Sequence, residues 1–220
     1  MGMQDTFREI YNKRLWQGNE TRSGRGSTLK ATAAFRDWLF EFVGEQEITS
    51  IVDAACGDFN YMRTVLQRIP IVRYTGLDIV PEAVEECNAR YGNDCWHFEV
   101  ADITGGALPG GDLMIMKDVI QHLSVWDAFL AIDGAIRSTS TWLVVNHCPI
   151  VPHNRDTYEH AGGFYNLMNP PFCLPAPRTE IRKFPEPAKQ TPKMQTVLGL
   201  WELDEVRDFM SYRKPDGEDS

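Results

Sequence analysis

No run of apolar residues in this chain approaches the twenty or so needed to span a bilayer, and no charged-then-apolar leader opens it. A cytoplasmic protein with no membrane partner is therefore expected. Basic charge is in deficit: 22 Lys and Arg stand against 31 Asp and Glu, a formal net charge of -9. Bulk nucleic-acid binding draws most of its affinity from a basic surface meeting phosphates, so that class is disfavoured. Paired cysteines are missing as well. Cys56, Cys87, Cys95, Cys148 and Cys173 are odd in number and lack the short spacings of a zinc site, which leaves free thiols and no expected metal. At 220 residues and 43% apolar content the chain is long enough for one well-buried domain and short for two, so residues 1–220 are expected to form a single domain.

What the chain does contain is concentrated around Asp53-Ala54-Ala55-Cys56-Gly57-Asp58-Phe59-Asn60. Ser50-Ile51-Val52-Asp53-Ala54 is short and β-branched, as a strand buried on both faces should be. Gly57 supplies a tight turn, and Met62, Val65, Leu66 and Ile69 then fall on one helical face. A second strand, Arg73 to Leu77, ends in Asp78 beside Ile79, where a carboxylate can accept both hydroxyl hydrogens of a ribose. The order strand, glycine turn, helix, strand, acid reads as a nucleotide-cofactor site.

The turn decides which nucleotide. A dinucleotide site sets glycines and a bare helix N-terminus against a pyrophosphate and needs that spot free of negative charge. This turn has one glycine and carries Asp58, which would repel a diphosphate but attract the ammonium or sulfonium of S-adenosylmethionine. Asp58 as a plain helix cap is the alternative. Trp96 to Val100 alternates like a strand and leads to Ala101-Asp102-Ile103, where a carboxylate can accept from an adenine amine while Ile103 packs on the ring. A fourth strand, Leu113 to Met116, opens into Lys117-Asp118-Val119-Ile120-Gln121-His122-Leu123, and Thr141 to Asn146 closes the series as a fifth. Strands alternating with helices in this way imply an α/β fold with a parallel, doubly wound sheet.

As a set, these segments resemble class I S-adenosylmethionine-dependent methyltransferases over roughly residues 48 to 146. Asp53 to Asn60 stands where that family has its first motif, Asp78 at the ribose acid, Ala101-Asp102-Ile103 at the adenine position, and Asp118 to His122 at the segment facing the transferred methyl. The chain departs from the pattern at Ala55, where glycine is usual. It is similar, more narrowly, to a group of small bacterial members sharing Cys56-Gly57-Asp58-Phe59-Asn60, an N-terminal Trp-Gly-x-Glu, here Trp16-Gln17-Gly18-Asn19-Glu20 with one residue inserted before the glycine, and Ser-Gly-x-Gly-Ser, here Ser23-Gly24-Arg25-Gly26-Ser27. The resemblance implies a Rossmann-like, mostly parallel sheet finished by an antiparallel pair, for which Thr179 to Phe184 and Gln195 to Trp201 are the candidates. It also implies S-adenosylmethionine as cofactor and S-adenosylhomocysteine as product. Cofactor contacts are assigned to Trp16, Ser23, Ser27, Asp53, Ala55, Cys56, Gly57, Asp58, Asn60, Asp78, Ile79, Asp102, Ile103, Lys117 and Asp118.

Residues 1–27 are expected to cover the cofactor, with Trp16 and the glycine- and serine-rich run offering backbone N–H groups to the methionine carboxylate. Ser27 is expected to cap a first helix carrying Ala33, Phe35, Trp38, Leu39 and Phe42, Pro81 to start another, and Ser124 with Asp127 to start a third. Nine of the thirteen prolines fall between Pro149 and Pro192, so residues 147–193 cannot be regular helix and read as a lid over the acceptor, the alternative being a surface loop packed on itself. Lys13, Arg14, Arg22, Arg25 and Lys30 in the N-terminal third, with Arg178, Arg182, Lys183, Lys189 and Lys193 in the C-terminal third, would make the acceptor pocket cationic if they meet there; otherwise they are solvated faces.

The expected chemistry is methyl transfer to a small acceptor of anionic or glycan type, at oxygen, held by Arg22, Arg25, His122 and Tyr165. His122 is the first candidate for the base and His147 the second, with His153 and His160 as substitutes, because imidazole titrates near neutrality. Two alternatives stay open: a nicotinamide-dependent oxidoreductase, which would want more glycine in the turn, and a cofactor-binding protein without catalysis. Oligomeric state is left open.

Overall fold

The computed structural model describes residues 2–16, 19–70, 72–156, 163–182 and 196–211. Its seven strands form one sheet in the order β3-β2-β1-β4-β5-β7-β6. The parallel part comprises β1 (Ser50–Ala54), β2 (Arg73–Asp78), β3 (Trp96–Val100), β4 (Leu113–Met116) and β5 (Trp142–His147), and β6 (Thr179–Arg182) and β7 (Val197–Glu202) complete the sheet. Only β7 against β5 and β6 against β7 run antiparallel. This is the expected Rossmann-like sheet. β4 is buried at all its positions and β1 at all but the first, as strands covered on both faces must be, whereas β3 at the edge buries Phe98 and exposes His97, Glu99 and Val100.

Six helices accompany the sheet among the described residues: α1 (Met3–Asn12), α2 (Ala33–Glu45), α3 (Asn60–Leu66), α4 (Pro81–Tyr91), α5 (Val125–Arg137) and α6 (Leu203–Ser211). One apolar cluster lies under α2, α3 and α4, centred on Leu39, Met62, Leu66 and Tyr74, and a second lies under α5 and α6, centred on Met114, Ile132, Leu143 and Trp201. The core therefore occupies both faces, which leaves the strand ends as the place for a ligand. The order reverses between β1 and β4, and the crevice beyond their carboxyl ends is where open α/β sheets bind ligands.

Several local expectations are corrected. Ser27 does not cap a helix: it closes a 3-10 turn (Arg25–Ser27), and α2 starts only at Ala33 after Thr32. Residues 3–12 are a helix where only a leading segment was read. Its ten residues are too few and too polar to announce themselves, but Met3, Phe7 and Tyr11 recur every four and face inward. Ser124 accepts from the Asp127 N–H as the cap of α5, and Pro81 opens α4, both as expected.

The proline-rich segment is tied to the His122 turn rather than laid across the strand ends. Gly163 N–H donates to the Gln121 carbonyl (2.6 Å), the Tyr165 hydroxyl to the Leu123 carbonyl (2.7 Å), and Asp156 accepts from Val125 N–H (2.8 Å). Asn154, Asn166 and Asn169 bind the segment to itself through the carbonyls of Pro149, Val151, Pro152 and Pro170. Its described residues thus brace the turn that carries His122. Residues 157–162 and 183–193 of that expectation, with His160, Lys183, Lys189 and Lys193, lie outside the described residues.

Candidate active site

A cleft with about 770 Å³ of empty space, open to solvent at its mouth, sits at the carboxyl ends of β1, β2 and β4. Ala55 and Gly57 form its floor. Ala55 has φ 86, a left-handed conformation in which glycine is at ease and alanine is strained by roughly 1–2 kcal/mol. The departure from glycine at this position is thus a real backbone cost, held in place by the Ala55 and Cys56 N–H groups, both donating to the Leu77 carbonyl at 2.8 and 2.9 Å.

On one side β2 delivers Asp78, whose oxygens accept from Gly57 N–H and Val80 N–H, each at 2.9 Å. Burial lifts its carboxyl above the ordinary range while those N–H groups pull it back. Ile79, Val80, Ala101, Asp102 and buried Ile103 continue the wall; Asp102 is exposed, and one of its oxygens accepts from the Thr104 N–H and hydroxyl.

On the other side β4 delivers Lys117 and Asp118. The Lys117 side chain is only 2% exposed, so its charge must be paired. It forms an ion pair with Asp118, donates to the Gly26 carbonyl at 3.0 Å and lies 5.0 Å from the centre of the Tyr61 ring. Asp118, at φ 60, accepts in addition from Gln121 and Asn146 amides at 3.1 Å each. A Cβ on Gly26 would stand 2.8 Å from the Asp118 carboxylate, so only glycine allows the N-terminal segment this close.

The roof comes from the N-terminal segment: Met3, Phe7 and Tyr11 of α1, then Trp16, Ser23 and Ser27. The Trp16 indole lies over the His122 imidazole at 4.7 Å and 28°, and Phe7 meets Trp16 edge-on at 6.1 Å.

The roof is fastened by the turn between β1 and α3. Asp58 accepts from the Thr21 hydroxyl (2.7 Å), Arg22 N–H (2.7 Å) and the Ser23 hydroxyl (3.0 Å), and its own N–H donates to Ser23 Oγ at 2.9 Å. Asn60 donates to Glu20 (2.7 Å) and to the Ser27 carbonyl (3.0 Å), while Glu20 also takes Leu29 N–H at 2.7 Å. Gly57, at φ 57, passes beneath Ser23, where a Cβ would sit 2.1 Å from Oγ. The two sequence segments that accompany each other in the resemblance are here two halves of one clasp.

Of the assigned residues, Trp16, Ser23, Ser27, Ala55, Gly57, Asp78, Ile79, Asp102, Ile103, Lys117, Asp118 and His122 line this cleft together. The others stand elsewhere. Asp58 and Asn60 hold the roof from outside the cleft. Asp53 is buried under the floor with the Tyr74 hydroxyl on it at 2.8 Å, and burial pushes it up to about 7. Cys56 is buried there too, and burial raises its thiol. Arg22 turns away to Glu86 (2.7 Å) and the Tyr11 ring, Arg25 is exposed on the outer turn, Arg178 pairs with Glu202 and Glu205, and His153 is exposed. Tyr165 is 2% exposed within the α5 cluster, a structural residue. Among the described side chains Arg22, Arg25 and Arg178 form no cationic acceptor pocket, because each has a nearer partner or faces outward; the Arg182 side chain lies outside those described. Missed by the sequence were Met3, Phe7, Tyr11, Val80, Val119 and Leu123; the four-residue recurrence in α1 was the available signal.

His147 is 1% exposed in the core, with Nδ1 accepting from Leu167 N–H at 3.1 Å, and burial drives its pKa down to about 4. A histidine kept neutral in the fold contributes stability that is present above pH 6.5 and lost as pH falls through the window to about 4. Asp53 acts in the opposite sense, its contribution being lost as pH rises towards about 7. The expected signal is accordingly a difference. His147→Asn, whose amide oxygen can replace Nδ1 as acceptor, gains on the native protein by on the order of 2–3 kcal/mol between pH 7 and 4 in denaturant melts. Parallel curves would show that His147 titrates normally.

Crystal structures of magnesium protoporphyrin IX methyltransferase (ChlM) from Synechocystis PCC 6803 are similar to this chain at 19% identity. With S-adenosylhomocysteine bound the TM-score is 0.50 over 71% of this chain and 81% of that one; with S-adenosylmethionine bound it is 0.51 over 73% and 80%. A SAM-dependent methyltransferase from Anabaena variabilis ATCC 29413 gives 0.49 at 15% identity, over 67% of this chain and 63% of that one. The methyltransferase domain of bacterial CtHen1-C gives 0.47 at 14% identity, over 55% of this chain, which spans 66% of that domain. No family model and no curated protein matches the sequence. At these identities the likeness establishes the fold, which is the Rossmann-like fold of the SAM-dependent methyltransferases.

Proposed function

We propose that the cleft binds S-adenosylmethionine and that the protein transfers its methyl group to the oxygen of a small-molecule acceptor. The observation that carries this is the charge of the walls. Asp78, Asp102 and Asp118 face the cleft against one cation, Lys117, which Asp118 already neutralises. A pyrophosphate would meet net repulsion there, whereas a donor with no phosphate and a positive sulfonium would not. Asp78 would hold the ribose, Asp102 and Ile103 the adenine, and the backbone between Ser23 and Ser27 the methionine carboxylate. When bound, the donor supplies a methyl group already activated by the positive sulfur. The chain's own work is to seat the acceptor in line under Trp16, exclude water with the roof and take the acceptor's proton at His122. Binding without turnover, the second reading, is separated by label transfer from methyl-labelled donor into candidate extracts.

S-adenosylmethionine or S-adenosylhomocysteine at a hundred times its dissociation constant is expected to add roughly 2.7 kcal/mol of stability. For a chain of this length that is a rise in Tm of roughly 5–10 °C. NAD is expected to give no shift. Asp78→Ala should abolish most of the rise at the same ligand concentration, since hydrogen bonds to a charged group are worth about 1.5–3 kcal/mol. A larger rise with NAD than with either sulfur ligand would overturn the proposal.

A further inference from the structure

The part of the cleft on the β4 side has a different character from the adenosine side. Asp78 and Asp102 stand at the ends of β2 and β3, so the adenosine lies towards that edge and the methyl end towards β4. Around the methyl end the walls are Phe7, Trp16, Val119, His122 and Leu123. Phe7, Trp16 and His122 form a continuous series of rings. The Lys117 charge is cancelled by Asp118, and Arg22 is engaged with Glu86, so no unmatched full charge from these residues reaches this wall.

We propose, resting on the methyl-transfer reading above, that the acceptor is an uncharged planar aromatic compound bearing a hydroxyl group, seated against the Trp16 ring with its hydroxyl at His122. This replaces the anionic or glycan acceptor expected from the sequence. The step balances as follows: the acceptor O–CH3 bond forms as the S–CH3 bond breaks, the electron pair stays on sulfur as a thioether, and the hydroxyl proton passes to His122 and then to water. A carboxylate here would lose its hydration with no unpaired lysine or arginine among the described cleft residues, and a sugar would bring hydroxyls that apolar walls cannot satisfy.

The test is binding to the full chain saturated with S-adenosylhomocysteine, using 2-naphthol, 2-naphthoate and methyl glucoside, read by saturation-transfer NMR and calorimetry. 2-Naphthol is expected to bind at least about tenfold more tightly than either of the others. Trp16→Phe should keep that affinity within threefold and Trp16→Leu should lose roughly three- to tenfold, as expected for an aromatic stack, with S-adenosylhomocysteine affinity in Trp16→Leu falling by clearly less than naphthol affinity. Equal binding of naphthoate or glucoside overturns the proposal while leaving methyl transfer standing. Loss of S-adenosylhomocysteine affinity in Trp16→Leu to the same extent as naphthol affinity would put the ring on the cofactor and overturn it as well. If S-adenosylhomocysteine itself does not bind the native chain, the methyl-transfer reading fails first and the acceptor proposal with it.

Discussion

His122→Ala is expected to slow methyl transfer by roughly 10²- to 10⁴-fold, the usual worth of a positioned general base, while S-adenosylmethionine affinity stays within a few-fold. A base acts on the acceptor's proton in the transition state and contributes nothing to the bound donor, so kcat falls and donor affinity does not. The alanine variant also removes the ring beneath Trp16. His122→Phe separates the two effects, since it keeps an aromatic partner and loses the base. Both variants should be equally slow, and both should lose the acid limb that a histidine base gives the native pH profile. The measurement is single-turnover label transfer across pH 5 to 9. Near-native rate in His122→Phe would leave proximity alone to explain the acceleration.

The position of His122 depends on a segment whose purpose was not legible in the sequence. Among the described residues between 148 and 182 there is no regular helix, in keeping with the proline content, but composition cannot say which surface a loop covers. The hydrogen bonds from Gly163 and Tyr165 to the carbonyls on either side of His122 are long-range, and nothing local encodes them. The strands were legible from their patterns: Leu113–Met116 is a short apolar run buried on both faces, Trp96–Val100 alternates as an edge strand does, and both fall where the residues alone put them. Asp78 and Asp102 were legible for the same reason, as acids at strand ends. The tyrosine and arginine assignments failed because a residue type says what a side chain can bind but not what already binds it. Arg22 has the charge for an anion and spends it on Glu86. Asp58 is the instructive intermediate. Its sign was read as a direct attraction for the cofactor, whereas its carboxylate reaches the roof.

That difference has a measurable consequence, and Asp58→Ala should weaken S-adenosylhomocysteine binding by roughly 10- to 100-fold. Three donors lose one charged acceptor at once, Thr21, Arg22 and Ser23, and each such bond to an ionised group is worth about 1.5–3 kcal/mol before the freed groups find water. The sheet and both apolar clusters are untouched, so Tm without ligand should drop by only a few degrees. The loss appears in binding because a roof that is closed only part of the time divides the intrinsic affinity by the closed fraction. Asp58→Asn should fall between the two, since an amide oxygen keeps the Arg22 N–H bond but its NH2 group cannot accept the Ser23 or Thr21 hydroxyl. Hydrogen exchange decides between the clasp and a direct role for the charge. If Asp58 fastens the roof, residues 21 to 29 exchange faster in the ligand-free variant than in the native protein. Unchanged exchange there, with the same loss of affinity, would mean that the carboxylate acts on the cofactor through its field across the turn, and that Glu20, Asn60, the Arg22–Glu86 pair and the Lys117 bond to Gly26 suffice to hold the N-terminal segment.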